Sequence, residues 1–134
     1  MSRSRIVLIA AAVVLSALAW VGWLAWDHEY QVDAATGISS GPYEAWQVQG
    51  CVVMLLAAAV LAGLARPAAQ AALWVTVPFT ACWVVDAART DESGLYLVGA
   101  LLIAGGLYLG AWGVAALTRA VARRTGQGRA APSR

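Results

Sequence analysis

Apolar and polar positions alternate along this chain on the scale of whole helices rather than single residues. Residues 6–26 form a run of twenty-one positions without a charge, with Ser16 as the one polar side chain. Residues 44–65 are apolar after Glu44 apart from Gln47, Gln49 and Cys51. Residues 68–88 are the most polar run, with Gln70, Thr76, Pro78, Thr80, Cys82 and Asp86. Residues 95–118 are apolar and rich in glycine. A helix rises about 1.5 Å per residue, so about twenty residues cross a hydrocarbon core of about 30 Å. Each run is long enough. The pattern predicts an all-α, polytopic integral membrane protein, a bundle of four transmembrane helices over about 6–26, 44–65, 68–88 and 95–118.

The punctuation between the runs agrees. Ala17-Leu18-Ala19 resembles the small-x-small site of a cleaved signal peptide. Apolarity nevertheless continues through Trp20, Val21, Gly22, Trp23 and Leu24, so an uncleaved first span is expected. Trp20, Trp23 and Trp26 share one broad helix face, where ring and N–H suit a membrane boundary. Trp20 sits deepest and is expected to pack on another helix. In the long polar loop 27–43, residues 29–32 alternate polar and apolar, and Asp33 to Gly37 has turn chemistry, which predicts a small hairpin closing near Gly37. Gly41 and Pro42 suit the cap and first position of the second helix, with Glu44 in its first turn. The Arg66-Pro67 break is so short that spans two and three must be an antiparallel, side-by-side hairpin. Pro78 deprives the Trp74 carbonyl of its helical partner, and Thr76 and Thr80 are placed to satisfy it. In the fourth span Gly99, Gly106 and Gly113 recur every seven residues, and Gly106 and Gly110 form a GxxxG pair. That face predicts close helix packing, with another protein or a second copy of this chain.

Composition turns length into class. The 134 residues are 61% apolar and 12% charged, against about 45–50% and about 25% in an ordinary globular chain. A soluble domain of this size cannot hide so much apolar surface, so the expected partner is the lipid bilayer, with one membrane domain over 1–134 and no soluble one. All nine basic residues are Arg, and Ala and Gly abound. That bias fits a GC-rich bacterial genome and an inner, or cell, membrane.

Charge sets the direction. Four spans place Arg3, Arg5, Arg66, Arg119, Arg123, Arg124, Arg129 and Arg134 on one side and Arg89 alone on the other. Eight against one predicts both termini in the cytoplasm. All seven acids (Asp27, Glu29, Asp33, Glu44, Asp86, Asp91, Glu92) fall on the opposite, outward side. The arginine-rich tail 119–134 reads as orientation signal and anionic-lipid contact rather than nucleic-acid binding, and as disordered beyond its first turn.

Candidate chemistry is sparse. No charge sits mid-span, where an ionisable group would mark function. Asp86 comes nearest, and its i, i+3 spacing predicts a pair with Arg89; the functional alternative is that it lines a polar cavity and binds a cation or a proton. His28 lies among acids without calcium-loop or zinc spacing, so a solvated histidine is expected, whose protonation would let the outer face respond to mild acid. Cys51 and Cys82 fall at one depth on neighbouring spans, which makes Cys51, Cys82 and Asp86 a candidate outer-leaflet polar cluster, with packing as the plainer role for the thiols. No nucleophile elbow, phosphate loop or HExxH motif occurs. The expectation is a non-enzymatic accessory or structural membrane protein without cofactor or metal, acting through helix contacts and its acidic loop. The rivals are a small dimeric transporter and a thiol redox protein using Cys51 and Cys82.

Overall fold

The computed structural model describes residues 1–129, with side chains described through residue 126. Its elements are α1 (Arg3–Trp23), β1 (Gln31–Val32), β2 (Ser39–Ser40), α2 (Ala45–Ala65), α3 (Ala68–Thr90) and α4 (Tyr96–Arg129). Among the described residues the elements other than the hairpin are four α-helices, each long and apolar enough to cross a membrane.

Helix ends differ from expectation for local reasons. α1 stops at Trp23 because Leu24 and Ala25 both donate backbone N–H groups to the Trp20 carbonyl and wrap the end. α2 starts later than Pro42. Glu44 is its N-cap rather than a first-turn residue, and its backbone N–H donates to Gln47 Oε1 at 2.6 Å in a capping box. Such a box satisfies two orphan donors at once, which outcompetes the weaker Gly41-Pro42 start. α4 runs eleven residues beyond the expected end at 118, reaching Arg129. The tail is therefore helical through that residue rather than disordered; Ala and Arg favour the helix, and no Pro interrupts it although Gly126 and Gly128 lie within it. Residues 130–134, with Arg134, lie outside the described residues.

The helices pack as two close pairs. α1 lies on α2 and α3, α4 lies on α2 and α3, and α1 does not touch α4 among the described residues. α2 and α3 are neighbours, as their two-residue link requires, but theirs is the smallest of the five interfaces. The dominant pairs are α1–α2 and α3–α4, so the expected side-by-side hairpin is a diagonal contact. Small residues decide this. Ala58, Ala59, Ala62, Ala71, Ala72, Ala111 and Ala115 form most of a buried core with Ala12 and Val75. A Cβ added at Gly63 would lie 2.9 Å from the Ala115 Cα, so the α2 and α4 backbones nearly touch. Lipid tails are as apolar as any side chain, so close packing and hydrogen bonds must hold such helices together. One such bond crosses the core: buried Ser16 on α1 donates to the Val75 carbonyl on α3. Thr76 and Thr80 do not take the role expected beside Pro78, since both hydroxyls are buried and find no partner among the described residues.

Outward positions carry large apolar side chains, such as Leu101 at 75% and Leu102 at 72% exposure. That inverted pattern suits an apolar solvent. One end gathers arginines: Arg66 Nη2 donates to Met1 Sδ, and Arg119 Nη1 donates to the Arg66 carbonyl at 2.8 Å. The opposite end holds the hairpin and the acids.

Candidate functional site

At the acidic end the long loop is tied down rather than free. Gln47, 1% exposed, donates through Nε2 to Asp27 Oδ2 at 3.0 Å, joining the loop's first residue to α2. Gln31 Nε2 donates to Glu44 Oε1 at 3.1 Å, and Trp46 Nε1 donates to Glu44 Oε2. The hairpin closes where turn chemistry placed it. Val32 pairs with Ser39, Asp33 accepts the Ala35 N–H, and Gly37 adopts φ 67°, a left-handed conformation open to glycine. The Ala35 N–H, then the Thr36 side chain, hold the exposed Asp33 carboxyl below its usual range.

Beneath the loop lies an aromatic corner. Trp20 is 4% exposed and meets three rings edge to face: Phe79 at 5.9 Å, Tyr43 at 6.1 Å and Trp83 at 6.5 Å between centroids. The expected helix contact of Trp20 is thus met on α3. Trp23 instead enters α2, its ring filling the space left by Gly50 and its Nε1 donating to Met54 Sδ at 2.8 Å. Trp26 alone of the three is largely exposed.

The corner bounds a cavity of about 490 Å³ whose walls include Trp20, Tyr30, Tyr43, Trp83, His28 and Asp86. Burial raises the Tyr43 phenol above its ordinary value, and Asp86, Tyr30 and Asp27 push it further the same way. Burial is the larger cause, and the neighbouring acids add to it.

Asp86 does not pair with Arg89. Its nearest basic side chain is His28, whose Nε2 lies 3.9 Å from Oδ1. That is too long for a hydrogen bond. Among the described residues no donor reaches the Asp86 carboxylate, whose side chain is 29% exposed. Arg89 is exposed and lines, together with Asp86, Cys82 and Val85, a second cavity of about 390 Å³, but makes no ion pair with Asp86. His28, expected to be solvated, is half exposed and lies beside this carboxylate. Asp91 has a different task. Its carboxylate accepts Ser93 Oγ at 2.6 Å and the N–H groups of Ser93 and Tyr96 at 2.8 Å each, closing the α3–α4 turn. The Ser93 hydroxyl first, then those N–H groups, hold it below the usual carboxylate range.

Cys82 and Asp86 share the second cavity, and Cys82 also packs against the buried cluster that holds Cys51 with Trp20 and Phe79; both cysteines are free thiols. Gly99 receives the Trp83 ring, and a Cβ there would lie 2.9 Å from it. Around Gly106, Gly110 and Gly113 a Cβ would meet nothing. Within one chain α4 packs through Ala111 and Ala115 instead, and Gly106 and Gly110 edge a shallow apolar groove between α2 and α4. Gln47 is an anchoring residue that apolar periodicity alone does not reveal. Its i+3 spacing from Glu44, the signature of a capping box, was the available signal. Among the described residues no three His, Cys, Asp or Glu side chains converge as metal ligands. No family model matches the chain, and no curated protein or solved structure is similar enough to match it.

Proposed function

We propose that this is a four-span protein of a bacterial inner membrane, non-enzymatic, with both termini cytoplasmic and its working surface at the outward acidic end. The observation that carries this reading is the division of charge between the two ends. Met1, Arg66 and Arg119 meet at one end, and the loop acids with Asp86 and Asp91 lie at the other. Basic residues are retained on the cytoplasmic side during insertion, which gives that division a direction. The loop supports a binding role because hydrogen bonds at Gln47 and Glu44 hold it as a lid over a formed cavity. A rigid support under a loop is what a binding surface needs. A reporter active only in the cytoplasm tests the direction. Fused after Arg134 it should work, and inserted at Gly37 it should be silent; activity from Gly37 would overturn the reading.

A further inference from the structure

We propose that the cavity beneath the loop binds a small organic cation of the alkyl- or quaternary ammonium class. The proposal rests on the reading above that the acidic end is the working surface. Three observations carry it. Asp86 offers a carboxylate that is more than two-thirds covered and receives no hydrogen bond among the described residues; His28, its one basic neighbour in ion-pair range, stands 3.9 Å away on the cavity wall. With its lone pairs free of donors, that carboxylate can attract a cation entering the cavity. The surrounding walls are aromatic: Tyr43 and Trp83 stand at 81° and 71° to the plane of Trp20, so three rings form a corner. Ring faces attract cations through their quadrupole, most of all weakly hydrated ones. The volume of about 490 Å³ lies inside the range of about 300–1,000 Å³ typical of small-molecule sites.

Two other roles fit less well. An interfacial anchor must reach the headgroups, as Trp26 does at 59% exposure, whereas Trp20 is at 4%. A small inorganic cation needs several oxygen ligands, and no such cluster forms among the described residues. A bulky ammonium needs only one carboxylate and ring faces.

Choline and its uncharged carbon isostere, 3,3-dimethylbutan-1-ol, separate charge from shape. Purified full-length protein in detergent is titrated with each by calorimetry. Choline should bind saturably, and the neutral isostere about tenfold more weakly or worse. Asp86→Asn and Tyr43→Leu should each lose about tenfold in choline affinity, whereas Tyr43→Phe keeps the ring and should keep the affinity. Glu92→Gln removes an acid from the same end without touching the cavity, and should change affinity by no more than about twofold. Equal binding of both probes overturns the proposal. So does unchanged affinity in Asp86→Asn, or no saturable choline binding by wild-type protein that still unfolds cooperatively. Detergent solution has no sides, so these failures leave the topology standing. Conversely, cytoplasmic activity from the Gly37 reporter would not alter the affinity measured here.

Discussion

Gln47 and Asp27, twenty residues apart, share a hydrogen bond of 3.0 Å that fastens the loop to the head of α2. Gln47 is almost wholly buried and also accepts the Glu44 N–H. Losing a buried partner leaves its mates unsatisfied, at about 1–3 kcal/mol. Gln47→Leu should therefore lower the thermal transition in detergent, while Gln49→Leu, exposed one face away, should not. Equal transitions for the two variants would show that the loop is not anchored there.

The α2–α4 crossing is set by the absence of a side chain at Gly63. A Cβ there would lie 2.9 Å from backbone at Ala115, which no rotamer change can relieve. Gly63→Ala should destabilise the protein by about 1–3 kcal/mol, the usual range for overpacking. A neutral or stabilising result would mean that α2 and α4 stand further apart.

Gly106 and Gly110 give the opposite expectation. Nothing in the same chain meets a Cβ at either position. Gly106→Leu with Gly110→Leu should leave the unfolding of a monomer within about 0.5 kcal/mol of wild type, as for open surface sites. Any dimer held through this face should dissociate, because close backbone approach is lost. Size-exclusion with light scattering reads the mass. A large fall in monomer stability would place these glycines inside the fold after all.

What was legible in the sequence followed from long-range averages. Apolar runs of helical length and an eight-to-one arginine split need no knowledge of side-chain rotation. The hairpin was also readable, because Asp33 and Gly37 act on their own backbone. Rotational detail was not. Residue depth along α3 placed Asp86 near Arg89, yet the carboxylate faces His28 from a loop fifty-eight positions upstream. Likewise the Gly99 heptad series is split, since Gly99 meets Trp83 and the later members face outward. Spacing fixes which residues share a helix face, and only the neighbouring helices decide what that face meets. The aromatic corner assembles from α1, α3 and the residue before Glu44, a convergence no local pattern encodes.

Asp91 makes the α3–α4 turn sensitive to acid. Its folded pKa is lowered by the Ser93 hydroxyl and by the Ser93 and Tyr96 N–H groups. The unfolded value is about 3.9. A depressed folded pKa contributes stability that is present above the unfolded value and is lost as pH falls through the folded one. Wild type should therefore lose stability below about pH 4. Asp91→Asn should start less stable at neutral pH and show a shallower acid decline. Parallel pH profiles for the two proteins would remove Asp91 from this role.

The thiols provide a direct test of the redox reading. Cys82 is half-buried and borders a cavity shared with Asp86 and Arg89, whereas Cys51 is 4% exposed within the Trp20 cluster. Both are free. Reaction with a maleimide needs access to the thiolate, so exposure orders the two sites. In native detergent-solubilised protein Cys82 should label about tenfold faster than Cys51. Cys82→Ser should leave one thiol that labels fully only after denaturation. Prior reduction should change neither count, because two packing thiols have nothing to release. If protein from oxidising cells gains two labels only after reduction, the cysteines are a disulfide pair in the cell. The thiol redox reading would then displace the binding role assigned to the acidic end.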